Sequence, residues 1–208
     1  MAYDLQAHEE VEGFKRFWKN WGRWLFLALL VAAIAYVGNY IYQGQQEGKA
    51  ADAAVVLDQL TREVQASDLD KAKASLATLQ KDYAKVSLTT QGTLMMAGVY
   101  FDAGDYAAAQ KELVWVKDHH QDPLIQAISA ERLAVVLLQQ QKYDEAVLMT
   151  KTKVEPEFEG LLLSVRGDIY VAQGKTAEAK EAYDLALAKT DAKAPGRAVI
   201  ELKRNQQG

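Results

Sequence analysis

A chain of 208 residues, half of them hydrophobic, is long enough for one domain of ordinary size plus an appendage, and it can bury a sizeable core without covalent staples. It has no cysteine, which removes disulfides, thiolate nucleophiles, zinc–thiolate sites and iron–sulfur clusters together. With 24 Lys and Arg against 28 Asp and Glu, the formal net charge of −4 makes no global electrostatic case for nucleic acid, and only 3 prolines and 13 glycines point to helices joined by short loops.

The N-terminal quarter predicts a membrane segment. Trp24 to Gln46 is a run of 23 residues without a charge, almost wholly apolar from Leu25 to Gly38. At a rise of about 1.5 Å per residue, roughly 20 such residues span a hydrocarbon core about 30 Å thick. Trp18, Trp21 and Trp24 on one side, with Tyr36, Tyr40 and Tyr42 on the other, stand where aromatic side chains favour the membrane interface. Lys15, Arg16, Lys19 and Arg23 precede the run, and only Lys49 and Arg62 follow closely, so the positive-inside rule places residues 1–23 in the cytoplasm and everything after about residue 46 outside it. The acidic Asp4, Glu9, Glu10 and Glu12 contribute little to that rule. Ala33-Ile34-Ala35 resembles a signal-peptidase site, but the long, half-acidic tail and the apolar stretch beyond Ala35 favour an uncleaved anchor over a cleaved signal or a buried soluble helix.

Beyond Gly48 there is no period-two alternation and no hairpin dipeptide; apolar residues recur at i, i+3 and i+4. Three segments align: Ala97 to Leu113, Ala134 to Thr150 and Gly167 to Tyr183. Small residues recur in the first helix of each pair (Ala97, Ala134, Gly167) and in the second (Ala109, Ala146, Ala179), where they let paired helices approach closely. Tyr100, Leu137 and Tyr170 supply bulk between them, and Gly104-Asp105, Gln141-Lys142 and Gly174-Lys175 mark the reversals. A weaker fourth copy upstream places Ala72, Leu76 and Leu79 in a second helix. The period resembles that of tetratricopeptide repeats, a unit of about 34 residues, with a generic antiparallel bundle as the competing arrangement. Pro123 and Pro156 begin new helices, and Pro195 ends the last hairpin before a short closing helix, Arg197 to Asn205, whose Val199, Ile200 and Leu202 are available to cover an open end. The expected fold is thus all-α: a tail (1–23), a transmembrane helix and flank (24–46), a solenoid of tetratricopeptide-like hairpins (47–194) and a capping helix and tail (195–208).

No catalytic, metal or cofactor motif emerges. His119 and His120 are adjacent, about 100° apart on a helix, and cannot share one metal as an i, i+4 pair does. Glu155, Glu157 and Glu159 around Pro156 read as a solvated loop. No serine sits in a nucleophile elbow, and there is no phosphate-binding loop or dinucleotide fingerprint. The sequence therefore predicts neither an enzyme nor a cofactor, a small-molecule substrate or a nucleic-acid partner. What remains is a face lined by the first helix of each pair: Leu94, Gly98 and Phe101, then Glu131, Val135 and Leu138, then Ser164, Asp168 and Val171. Phe101, Leu138 and Val171 are equivalent and predict an apolar stripe, either buried by neighbouring helices or open as a groove for a peptide.

The acidic tail, the Glu12-Gly13-Phe14-Lys15-Arg16-Phe17 approach to the apolar run, the Gly22 break and the degenerate repeats together resemble the YfgM family over essentially the whole chain. That resemblance implies a single-span bacterial inner-membrane protein with a periplasmic repeat domain. It also implies association with Sec translocon subunits, partnership with a membrane-anchored periplasmic chaperone of the prolyl-isomerase type, contact with nascent secreted chains, and no catalytic motif. Two other roles share this architecture: a regulator acting through its cytoplasmic tail, and an envelope scaffold for division or cell-wall machinery.

Overall fold

The computed structural model describes Trp18 and residues 22–207, the side chains of residues 23 and 41–47 excepted. The described residues form α-helices and no strand: α1 (Arg23–Gln65), α2 (Leu69–Asp82), α3 (Ser87–Asp102), α4 (Tyr106–His119), α5 (Pro123–Gln139), α6 (Tyr143–Met149), α7 (Pro156–Ala172), α8 (Thr176–Lys189) and α9 (Arg197–Asn205). They divide into two compact units, Met1–Ala51 and Asp52–Gly208.

In the first unit, every residue from Trp24 to Tyr40 is exposed, on all sides of the helix. Phe26, Leu29, Val31 and Ile34 are each more than 60% accessible. Trp18 lies against Gly22, where a Cβ would come within 2.8 Å of the indole. Among the described residues no helix is long and apolar enough to cross a membrane. The part of the charge-free run from Ile41 to Gln46 lies outside the described side chains, as do Lys15, Arg16, Lys19, Trp21, Arg23 and Tyr42.

The second unit is built from hairpins whose reversal has one geometry. The last stretch of α1 pairs with α2, α3 with α4, α5 with α6, and α7 with α8. The turns carry Ser67, Gly104, Gln141 and Gly174, all at positive φ (58°, 76°, 58° and 73°). In each turn the next amide donates across six residues to the last full turn of the first helix: Asp68 to the Glu63 carbonyl, Asp105 to Tyr100, Lys142 to Leu137 and Lys175 to Tyr170, all at 2.9 Å. This is the Schellman closure, which satisfies orphan carbonyls at the price of one left-handed residue. Glycine takes that conformation freely at positions 104 and 174, whereas Ser67 and Gln141 carry side chains there. The following residue is the N-cap of the second helix. Asp68 and Asp105 accept from the amides of Lys71 and Ala108, while Lys142 and Lys175 make no side-chain cap. The upstream copy expected from Ala72, Leu76 and Leu79 is therefore a hairpin like the others, all three residues buried.

The core runs as a chain of clusters, two shared by neighbouring hairpins and a third joining the last hairpin to the closing helix. Ala53, Leu60, Leu79, Met96, Tyr100, Leu113 and Val136 belong to the first, Ala134, Leu137, Ala146, Val165 and Ile169 to the second, and Ala179, Tyr183, Ala186 and Ile200 to the third. Part-buried polar groups join successive hairpins: Gln80 of α2 donates to the Glu112 carboxylate of α4 at 2.6 Å. Arg166 of α7 donates to the Thr150 hydroxyl at 2.9 Å and carbonyl at 2.8 Å, at the end of α6.

Two details differ from the sequence reading. Glu155 is the N-cap position of α7, and Glu157 and Glu159 occupy its first turn behind Pro156. Glu157 and Glu159 are helix residues rather than loop residues, complementing the positive end of the helix dipole, while Glu155 stays outside the helix, and Glu159 also pairs with Lys189 at 2.7 Å. In α9 only Ile200 is buried; Val199 and Leu202 are 52% and 60% exposed, because a nine-residue helix laid on α8 buries a single apolar position.

The turn geometry predicts that Gln141→Gly raises unfolding free energy by about 1 kcal/mol, and that Lys142→Asp, by supplying the missing cap, adds about 1 kcal/mol more. Denaturant titration of the single and double variants checks both. Gly167→Ala is expected to destabilise by about 1–3 kcal/mol despite its better helix propensity, since the new Cβ would lie 2.3 Å from the Tyr183 ring.

Candidate protein-binding cleft

Helices α3 and α5 are the first helices of successive hairpins, and a cleft of about 410 Å³ lies between them. Ala97, Gly98 and Phe101 of α3 form one wall, Glu131, Arg132, Val135 and Val136 of α5 the other, with Leu113 of α4 buried between. Helical spacing produces this wall: positions 97, 98 and 101 lie within one turn and a half of each other, as do 131, 132, 135 and 136. Phe101 is half-buried and meets Tyr106 edge-on, ring centroids 5.4 Å apart, which fixes its ring on the α3 side. Gly98 leaves the opening. A Cβ built there meets nothing within 4 Å, although glycine inside a helix costs about 1 kcal/mol relative to alanine.

Glu131 is the chemically unusual group. Half-buried in the cleft wall, its carboxylate has no hydrogen bond or ion pair among the described residues. Burial pushes its carboxyl above the ordinary value of 4.5, Arg132 and Lys203 pull it back, and the Asp168 carboxylate pushes it up further. Arg132 is exposed and directs Nη1 toward the Leu94 carbonyl at 3.4 Å. Asp168 is fully engaged, accepting from the Tyr183 hydroxyl at 2.7 Å and from Lys203 Nζ of α9 at 2.6 Å. Burial and that carboxylate together push the Tyr183 phenol far up.

Of the face expected from sequence, the structure gathers Gly98, Phe101, Glu131 and Val135 into this one cleft. Leu94 lies a turn earlier, in a second cleft with Thr90, His120, Leu124 and Ile125. Leu138 packs half-buried against the Ala134–Ile169 cluster, and Val171 is 40% exposed, so Phe101, Leu138 and Val171 do not line a single groove. Ser164 is buried. The six small residues, Ala97, Ala109, Ala134, Ala146, Gly167 and Ala179, are all buried. Of the interface aromatics, Trp18, Trp24, Tyr36 and Tyr40 are exposed. His119 stacks on Trp115 at the end of α4, centroids 4.1 Å apart, and among the described residues no group of acidic residues and histidines could hold a metal ion. Sequence reasoning missed Arg132, adjacent to a named residue, and Lys203, which lies 35 positions from Asp168 with no local signal linking them.

Stacked helical hairpins with a side-chain cleft between successive first helices define a tetratricopeptide-type protein-binding fold. A family model described as a tetratricopeptide repeat-like domain matches residues 15–208. The chain is 40% identical over 204 residues to a protein of Neisseria gonorrhoeae named ancillary SecYEG translocon subunit, covering 98% of each chain. Proteins of the same name from Haemophilus influenzae and Aggregatibacter actinomycetemcomitans are 28% and 24% identical, each across 89% of this chain and 91% of the relative. The chain belongs to this tetratricopeptide repeat-like family, the YfgM family.

Because folding raises the Glu131 pKa, the protonated form contributes stability that is complete below the ordinary carboxylate value and is lost as pH rises through the raised one. Glu131→Gln is therefore expected to raise the thermal midpoint at pH 7 and to give no such gain near pH 4, read by melts across that range. Gly98→Ala is expected to stabilise by about 0.5–1 kcal/mol, opposite in sign to Gly167→Ala, in the same measurement.

Proposed function

We propose that this chain is a non-enzymatic, membrane-anchored protein-binding module working beside the SecYEG translocon, its N-terminus cytoplasmic and its repeats periplasmic. The observation that carries the reading is 40% identity across 98% of both chains with a protein named ancillary SecYEG translocon subunit. The anchor is supported by the run from Trp24 to Tyr40, apolar and exposed on every side of its helix. Such a helix has no face of its own chain to bury and gains from lipid what a soluble helix gains from a core. Orientation rests on Lys15, Arg16, Lys19 and Arg23 before the run.

The work of such a molecule is tethering. Anchoring a binding surface at the membrane converts capture near the channel exit into an intramolecular event at an effective concentration of roughly millimolar. The repeats hold a periplasmic chaperone of the prolyl-isomerase type, or an emerging chain, where secreted polypeptide appears. No reacting group is needed, only a rigid frame, and the shared core clusters supply it.

In-cell photo-crosslinking from probes at Ala32 and Val171 tests this, with products identified by mass spectrometry. Sec channel subunits at Ala32 and a periplasmic chaperone or secreted chains at Val171 are expected. Division or cell-wall proteins at both sites would overturn the translocon reading while leaving the fold intact. The anchor has its own test: the wild-type chain should stay in the pellet on alkaline carbonate extraction, whereas Leu29→Arg, with a charge near the centre of the run, should insert less well by about 3 kcal/mol and appear in the soluble fraction.

A further inference from the structure

Two features of the α3–α5 cleft have no role in holding the fold. Glu131 keeps a half-buried carboxylate without an ion pair, and a carboxylate in that position is destabilising unless something outside the described chain meets it. Gly98 keeps a helix interior without a side chain although nothing occupies the space a Cβ would take. Both border the same cleft, and the wall that completes it is Phe101 and Val135. An acid beside an aromatic ring and a methyl surface is a receptor for a cation carried on an apolar stem. The same face already holds one such group, Lys203 Nζ on Asp168 at 2.6 Å, and both of those charges act on Glu131.

We propose that the cleft takes a basic side chain of a partner polypeptide, an arginine or lysine next to an apolar residue, with the charged head on Glu131, the stem along Phe101 and Val135, and the neighbouring apolar side chain over Gly98. Charge complementarity chooses the occupant. An acidic chain end would bring a further anion beside the Glu131 and Asp168 carboxyls, and a purely apolar segment would bury the Glu131 carboxyl more deeply with no partner for it. Arg132 lines the same cleft and lowers the Glu131 carboxyl through space, but it makes no ion pair with it, its guanidinium donating to the Leu94 carbonyl at 3.4 Å instead. This assignment rests on the protein-binding reading above and specifies the chemistry of what is bound.

The test uses the full chain in phospholipid nanodiscs and two fluorescein-labelled peptides that differ only in a single arginine or norleucine between two leucines, with affinity read by fluorescence anisotropy. The arginine peptide is expected to bind more tightly. Glu131→Gln should lose about tenfold in affinity for it, and Gly98→Leu, whose Cβ meets nothing within 4 Å and whose branched end enters the cleft, should lose a similar factor with a thermal midpoint close to wild type. Equal binding of the two peptides, or unchanged affinity in Glu131→Gln, overturns the assignment. The crosslinking at Ala32 is independent of this result: its failure removes the translocon association and leaves the arginine preference standing, whereas loss of the preference leaves the crosslinks standing.

Discussion

The repeat domain depends on one backbone event used again and again, a single left-handed residue placed after the first helix of each hairpin. At positions 67, 104, 141 and 174 it turns the chain so that the next amide bonds a carbonyl back in the first helix, Asp68 to Glu63 and so on at the same separation, and every one of those bonds is 2.9 Å long. A turn this short leaves the second helix little freedom of direction. The contact surface between paired helices is then set by whichever side chains stand a fixed number of residues from the turn, which is why Ala97 and Ala109, Ala134 and Ala146, and Gly167 and Ala179 are all buried. Where residues other than glycine occupy the left-handed position, the geometry is unchanged. Packing between hairpins outweighs a local preference of about 1–2 kcal/mol at Ser67 and Gln141.

The far end of the solenoid is closed by a denser version of the same packing. Gly167 allows the Tyr183 ring to lie where a Cβ would stand, the Tyr183 hydroxyl reaches Asp168, and Lys203 of the closing helix lands on the same carboxylate. Arg197 adds hydrogen bonds to the Leu187 and Thr190 carbonyls at 2.7 and 2.9 Å, tying α9 to the end of α8. With only Ile200 buried, α9 is fastened by polar groups more than by apolar area.

This frame explains how the repeats can present a binding surface. Rigidity comes from clusters shared between neighbours, so the wall of a cleft between α3 and α5 is held by residues committed to the core on either side. Against that background the groups that oppose stability are informative. An unpaired half-buried carboxylate and a helix glycine facing open space both lie on the cleft that gathers Gly98, Phe101, Glu131 and Val135 of the expected face, as expected where binding rather than folding sets the side chain.

How much of this was legible in the sequence follows from the range of the forces involved. Helix content, the spacing of the hairpins, the turn positions and the small residues at close contacts depend on interactions within about six residues and could be read directly. The weak first hairpin was legible through Ala72, Leu76 and Leu79 even though Ser67 stands where glycine was sought. The face formed by Gly98, Phe101, Glu131 and Val135 was legible as a register. Its division was not: Phe101, Leu138 and Val171 share that register, yet Leu138 is covered by a neighbouring cluster and Val171 faces outward, because burial depends on what the next hairpin brings up. Pairings such as Lys203 with Asp168 and Gln80 with Glu112 join residues more than thirty positions apart. Local pattern therefore determined the repeats, while the charges, the cleft and the unpaired Glu131 were decided only when separate hairpins met in space.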